Sequence, residues 1–252
     1  MSLIRIRLRQ GHRTLPLDSD VPQLPEGFRG RPRIDPARCA DGCRDCADSC
    51  PTAAIRLDGV PRIDLGRCVF CQDCVEACPQ GAIEYTRDHR LSARTREDLE
   101  NPERVRLAAL DERMLRMFGR SLRLRHVSAG DCSACGAELQ ALGNVVFDLA
   151  RFGVQFVASP RHADGLVVTG PVSANMRLAL EKTWAAVPEP KIVIAVGACA
   201  ISGSPFAGSP SAGDGASGVV PVDLFVPGCP PHPLTVLDGL LRLLGRIEDG
   251  RR

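Results

Sequence analysis

From residue 122 onward, short runs rich in Val, Ile and Leu alternate with longer stretches whose apolar residues recur every three or four positions. The runs "LRLRHV" (122–127), "VQFVAS" (154–159), "GLVVTG" (165–170), "KIVIAV" (191–196) and "VPVDLFV" (220–226) read as strands, and 135–151, 172–186 and 233–247 read as helices. Strands alternating with helices predict an α/β domain whose sheet is mostly parallel and covered on both faces. The upstream pattern differs. There the strand-like pieces are short, "AAIRL" and "GAIEY", and each follows a Cys-Pro pair. "IRIRLR" (4–9) alternates and predicts an edge strand with its arginines on one face. Residues 87–120 are charge-rich and predict a connector with an amphipathic helix, with Val105, Leu107, Leu110, Met114, Leu115 and Phe118 on one face after Asn101-Pro102.

The upstream part repeats itself. "RIDPARC" (33–39) matches "RIDLGRC" (62–68) at an offset of 29, and "CRDCADSCPTAAI" (43–55) matches "CQDCVEACPQGAI" (71–83) at an offset of 28. The change in offset places one inserted residue among Ala40, Asp41 and Gly42. Closely spaced cysteine triplets let three sulfurs wrap one face of a 4Fe-4S cubane, while the Cys before Pro reaches the neighbouring cluster. The expected ligand sets are therefore crossed: Cys39, Cys43, Cys46 and Cys78 for one cluster, Cys68, Cys71, Cys74 and Cys50 for the other. A pair of zinc sites is the alternative, since Cys-x-x-Cys binds zinc as well. The triple spacing and the two Cys-Pro pairs favour the cubanes.

Composition narrows the class. An apolar content of 44% supports a buried core, and 32 basic against 30 acidic residues, interspersed, give no nucleic-acid signature. Only Lys182 and Lys191 are lysines, which reads as coding bias. The N-terminus shows no secretory signal pattern, and the longest apolar run, 192–201, is too short to span a bilayer. The expectation is a cytoplasmic chain, soluble or peripheral on a membrane. Its twelve cysteines are then ligands rather than disulfides.

Four cysteines lie outside the repeat. Cys132 and Cys135 follow the first strand of the α/β pattern, Cys199 follows "IAVGA" and Cys229 follows "LFVPG". Loops after parallel strands converge on one edge of the sheet, so three of them could bring four thiolates together. Gly130, Gly197 and Gly228 precede these ligands by one or two residues and let the backbone approach a bulky group. A third 4Fe-4S cluster is the economical reading. Structural zinc or unligated core cysteines are the alternatives.

Residues 31–86 resemble bacterial-type two-cluster ferredoxins, with three residues between Cys39 and Cys43 where that family has two; Gly42 could absorb the extra one in a bulge. Residues 120–250 resemble the small subunit shared by group 4 membrane-bound nickel–iron hydrogenases and the B subunit of respiratory complex I. "GDCSAC", "ASPRHADGLVVTGPVSANM" (158–176), "PEPKIVIAVGACA" (188–200) and "VPVDLFVPGCPP" (220–231) carry that resemblance. "GFRGRPRIDPARC" through "TREDL" resembles the ferredoxin-like subunit of formate hydrogenlyase-type complexes, so the chain looks like two neighbouring subunits joined. The organisation implied is an N-terminal extension (1–30), an α+β two-cluster ferredoxin domain (31–86), the connector (87–120) and a flavodoxin-like α/β domain (121–252).

The resemblance implies an electron-transfer subunit without a catalytic residue of its own. Its third cluster would lie proximal to a separate large subunit. Membrane subunits and a redox donor or acceptor protein would complete an assembly on the cytoplasmic face of the inner membrane. Cys-x-x-Cys at 132–135 is similar to hydrogenase small subunits, whereas complex I B subunits carry adjacent cysteines there. Gly136 departs from the Glu that many group 4 hydrogenases have after the second cysteine. That departure keeps a nickel-free quinone or ferredoxin oxidoreductase as the alternative. From a different class, a zinc-stabilised interaction module would also use such cysteines.

Three further residues are candidates for an interface or proton path. Glu138 matches the family, and its plainer reading is an early-helix carboxylate favoured by the helix dipole. Arg161 and His162 could line a cavity shared with the large subunit, or sit in a turn closed by Asp164. The Gly-, Ser- and Pro-rich stretch 202–218 is long for a loop in a compact domain, and is either flexible or ordered by the large subunit.

Overall fold

The computed structural model describes residues 2–11, 13–16, 24–101, 103 and 107–247. The alternating N-terminal run is not an edge strand. It forms helix α1 (Leu3–Gln10), closed by Gly11. No strand among the described residues lies beside it to take up its backbone groups, and a helix satisfies them internally; Leu, Arg and Gln are good helix formers.

The repeat folds into two similar halves. Strand β1 (Pro32–Ile34) leads to the first Cys triplet, with short helix α2 (Asp45–Asp48) inside it, then β2 (Ile55–Arg56). Strand β3 (Arg62–Ile63) leads to the second triplet, with α3 (Asp73–Glu76), then β4 (Ile83–Tyr85). The pairing is antiparallel, β1 with β4 and β2 with β3, so each half borrows its strand partner from the other.

The connector yields a shorter helix than its periodicity predicts, α4 (Glu112–Phe118). Asp111 restarts the chain by accepting the Met114 N–H at 2.9 Å. Leu107 and Leu110 precede the helix yet are buried, and the Leu110 N–H donates to the Leu243 carbonyl at 2.9 Å. Val105 lies outside the described residues.

The α/β part contains β5 (Leu122–Ser128), α5 (Ala134–Ala141), β6 (Val154–Phe156), β7 (Gly165–Thr169), α6 (Ala174–Ala186), β8 (Ile192–Val196), α7 (Ala198–Ser202), β9 (Leu224–Val226) and α8 (Pro233–Leu243). The five strands are parallel in the order β6-β5-β7-β8-β9. Relative to chain order this is 2-1-3-4-5, the flavodoxin-like arrangement. The helix expected over 135–151 stops at Ala141, because the Asn144 side chain accepts the Val146 and Phe147 N–H groups at 2.8 and 3.1 Å and turns the chain.

Side-chain alternation sorts the sheet residues into two cores. Leu122, Leu124, Ile192, Ile194, Leu224 and Val226 pack with α5, α8 and the connector on one face. Val127, Val168, Val193, Ala195 and Phe225 pack on the other face with α6 and α7, with Ala54, Ile55, Ile63, Leu65 and Phe70 of the repeat module, and with Leu91 just after it. The cysteine-rich module is thus one of the layers covering the sheet. Ala93 also pairs with Phe225 through reciprocal backbone hydrogen bonds of 3.0 and 2.9 Å, occupying the free edge of β9.

Candidate metal centres

Cys39, Cys43, Cys46 and Cys78 line a cavity of about 390 Å³ open to one side, with Leu57 and Ile83 at its apolar wall. Burial raises the Cys39 thiol above its usual range, and the neighbouring Cys78 and Cys43 thiols add to the shift. Burial and Cys78 likewise raise Cys46. The inserted residue is absorbed outward: Gly42 takes φ +75°, with no other atom within 4 Å of where a Cβ would stand.

The second set is enclosed. Cys50, Cys68, Cys71 and Cys74 line a closed gap of about 10 Å³ with Ile55, Ile63 and Tyr85. Burial pushes Cys68 up to about 12 and Cys74 to about 11, with the other thiols of the set contributing. Tyr85 donates to the Cys71 carbonyl at 2.6 Å, and burial, then the nearby thiols, raise its phenol. The repeat is visible in the hydrogen bonds to sulfur. Ala54 N–H donates to Cys50 Sγ at 3.3 Å and Ala82 N–H to Cys78 Sγ at 3.2 Å, and Phe70 N–H adds a bond to Cys68 Sγ at 3.3 Å.

The third set gathers at the carboxyl edge of the parallel sheet. Cys132 and Cys135 come from the β5–α5 turn, Cys199 from α7 directly after β8, and Cys229 from the loop after β9. Cys135 is buried, whereas Cys132 and Cys229 reach the surface. Burial, then the Cys199, Cys229 and Cys132 thiols, push Cys135 up to about 12. Burial, Cys229 and Cys132 push Cys199 to about 11. Gly197, at φ +93°, is obligatory here: a Cβ on it would stand 2.6 Å from Cys135 Sγ.

A polar network beneath this set was not foreseen from the sequence. Ser128 Oγ and Thr169 Oγ1 donate to Asp131 at 2.6 and 2.5 Å, and His126 Nε2 lies 2.9 Å from Thr169 Oγ1. Burial opposes ionisation of Asp131, but these hydrogen bonds hold its carboxyl below the usual range. The only hint in the sequence is the adjacency of Asp131 to Cys132.

Glu138 sits beyond the first turn of α5, where no acidic residue occurs, so the dipole reading does not fit it. It lines a cleft of about 300 Å³ with Cys229, Arg29, Val69, Phe70 and His232, and burial raises its carboxyl. This cleft joins the loop between Cys68 and Cys71 to the loop of Cys229. Arg161 and His162 are exposed in a short turn and line none of these clefts. Asp164 accepts the Arg123 N–H at 2.7 Å, which ties the end of that turn to β5 rather than closing it locally.

Among the described residues no three Cys, His, Asp or Glu side chains converge as a single-ion site. Sets of thiols alone, with backbone N–H groups donating to sulfur in the repeat module and a glycine where a side chain would strike Cys135 Sγ, fit iron–sulfur clusters. A ferredoxin-type module packed on a flavodoxin-like sheet that carries four more thiols at its edge defines an iron–sulfur subunit of an oxidoreductase.

Comparison with known proteins agrees. Residues 132–243 match the family described as NADH ubiquinone oxidoreductase, 20 Kd subunit, and residues 38–82 match the 4Fe-4S dicluster domain. The chain is 42% identical over 147 residues to the probable membrane-bound hydrogenase subunit mbhJ of Pyrococcus furiosus, covering 58% of this chain and 88% of that one. It is 43% identical over 118 residues to the B subunit of the NADH-quinone oxidoreductase of Heliobacterium modesticaldum, covering 46% and 67%. Formate hydrogenlyase subunit 7 of Escherichia coli is 39% identical over 142 residues, and the match spans only 56% of either chain. The chain belongs to the NADH ubiquinone oxidoreductase 20 kDa subunit family, with a 4Fe-4S dicluster domain joined ahead of it.

Proposed function

We propose that this chain is the electron-transfer subunit of a group 4-like, membrane-associated nickel–iron hydrogenase complex, working with a separate large catalytic subunit. Three 4Fe-4S clusters, held by the Cys39/43/46/78, Cys50/68/71/74 and Cys132/135/199/229 sets, would supply one-electron carriers. Membrane subunits and a redox donor or acceptor protein are the further partners, and the cytoplasmic face of the inner membrane is the site of action.

One observation carries the reading. Ser202 Oγ on the Cys199 helix donates to the Gly66 carbonyl at 2.8 Å, and Ser204 Oγ donates to the Arg67 carbonyl at 2.9 Å. Gly66 and Arg67 lead directly into Cys68. The enclosed thiol set and the sheet-edge set are thus held in fixed register by this chain's own hydroxyls, while the Cys39 set opens away from the sheet. That arrangement suits entry at the open set and delivery at the sheet edge, or the reverse.

Gly136, and the Heliobacterium modesticaldum relative at similar identity, support a second reading, a nickel-free complex I-like quinone or ferredoxin oxidoreductase. Metal analysis of the complex purified without oxygen and with its partners attached separates the two. About twelve irons per copy with about one nickel is the result expected of the hydrogenase. Iron without nickel moves the assignment to the second reading, and zinc in place of iron overturns both.

A further inference from the structure

Helix α1 has a surface that neither fold nor proposed electron path uses. Leu3, Ile4 and Leu8 are 84%, 71% and 78% exposed, and α1 contains no buried residue. At 100° per residue these three side chains fall within one broad sector. Arg5 and Arg9, four residues apart, follow a second sector, and Arg13, beyond the helix end at Gly11, joins them in lining a cleft. Arg7 projects between Leu3 and Ile4, and its Nη1 donates to the Gly11 carbonyl at 3.2 Å, which draws its charge toward the helix end. The charge here has one sign: residues 1–17 contain these arginines and no Asp or Glu. The segment is held to the α/β domain downstream, where the Leu15 N–H donates to the Val146 carbonyl at 2.9 Å and Arg151 Nη2 donates to the Leu15 carbonyl at 2.7 Å.

We propose that α1 binds the surface of a membrane rich in anionic phospholipid, with Leu3, Ile4 and Leu8 among the acyl chains and Arg5, Arg9 and Arg13 among the phosphate headgroups. A short helix with an apolar face beside a basic one is the composition that lies in a bilayer interface. An acidic leaflet attracts each arginine near it, and that attraction weakens with salt. Charge complementarity selects anionic lipid over a neutral bilayer, and the exposed leucines and isoleucine select a lipid surface over a soluble polyanion. The tether at Leu15 makes α1 an arm whose engagement leaves the thiol sets undisturbed.

The test is vesicle flotation of the full chain, reconstituted with iron and sulfide without oxygen. Vesicles of phosphatidylcholine alone are compared with vesicles containing an equal share of phosphatidylglycerol. The wild type is expected to bind the anionic vesicles at least about tenfold better, and to lose that preference in high salt. The Arg5→Glu/Arg9→Glu and Leu3→Glu/Leu8→Glu variants are each expected to abolish binding. Both should keep the brown colour and helical circular dichroism, because none of these residues is buried. Arg113→Glu/Arg116→Glu on α4 should change nothing. Equal binding to both vesicles, absence of binding by the wild type, or binding that survives in either α1 variant overturns the proposal. Absence of vesicle binding by the wild type, with loss of the α1 variants from the partner proteins, would assign the helix to a protein partner instead.

Discussion

The two halves of the internal repeat share a motif and differ in where they stand. Asp35 and Asp64 occupy the same repeat position, and both cap a backbone N–H two residues on, Ala37 at 3.0 Å and Gly66 at 2.9 Å. Asp35 is exposed. Asp64 is fully buried, and its other oxygen takes Arg96 Nη2 at 2.5 Å. Likewise Cys68 and Cys74 are buried in the shared core, while their counterparts Cys39 and Cys46 are only partly covered. A duplicated motif therefore acquires two electrostatic settings without a change in its cysteines. Burial raises the thiols of both halves, and furthest in the half packed against the sheet, where Cys68 is pushed up to about 12 and Cys74 to about 11.

The largest effect should separate the two halves at the cysteines. Cys43→Ala is expected to lower iron from about twelve to about eight atoms per chain while the α/β domain still melts cooperatively. Cys68→Ala should lose the same iron and also destabilise the whole chain, by at least about 3 kcal/mol, because its site forms part of the common core. Equal melting curves for the two variants would break the comparison.

The aspartates sharpen it at a smaller scale. Asp64→Ala removes the buried partner of Arg96, which keeps only Glu100 at 3.9 Å, together with the cap on the Gly66 N–H, and should cost about 2 kcal/mol. Asp35→Ala loses only an exposed cap, a cost of about 1 kcal/mol. Denaturant midpoints measured on the two variants at one pH decide this, and a reversed order would refute the assignment of burial as the cause. Smallest of the three, Ser202→Ala removes one hydrogen bond across the junction and should cost about 1 kcal/mol. Amide exchange around residues 66–70 should rise in that variant while residues 39–46 stay unchanged.

Much of this was legible because it is local. The five strand runs, the repeat and the positions of all twelve cysteines follow from short-range pattern, and the strand order obeys the general behaviour of parallel sheets. Alternation in "IRIRLR" misled because a strand needs a neighbouring edge, and nothing within the run says whether one is present. The periodic face from Leu107 to Phe118 merged an irregular buried segment with a helix, since burial alone gives apolar spacing its regularity. That the repeat module covers a sheet face depends on contacts between residues more than a hundred positions apart, such as Gly66 with Ser202. The network of His126, Thr169 and Asp131 was hidden too, because Thr169 stands 43 and 38 positions from its two partners. Gly42 shows the opposite case, a single inserted residue whose accommodation the residue type itself announced.

The common core across the junction has a kinetic meaning. Two separate proteins exchanging electrons must first meet, and their rate then rises and falls with how much of each is present. Here the module and the sheet are one covalent, packed body, so each sees the other at an effective concentration that dilution cannot change. Transfer across that junction would be a first-order event, and only encounters with other proteins would remain subject to supply.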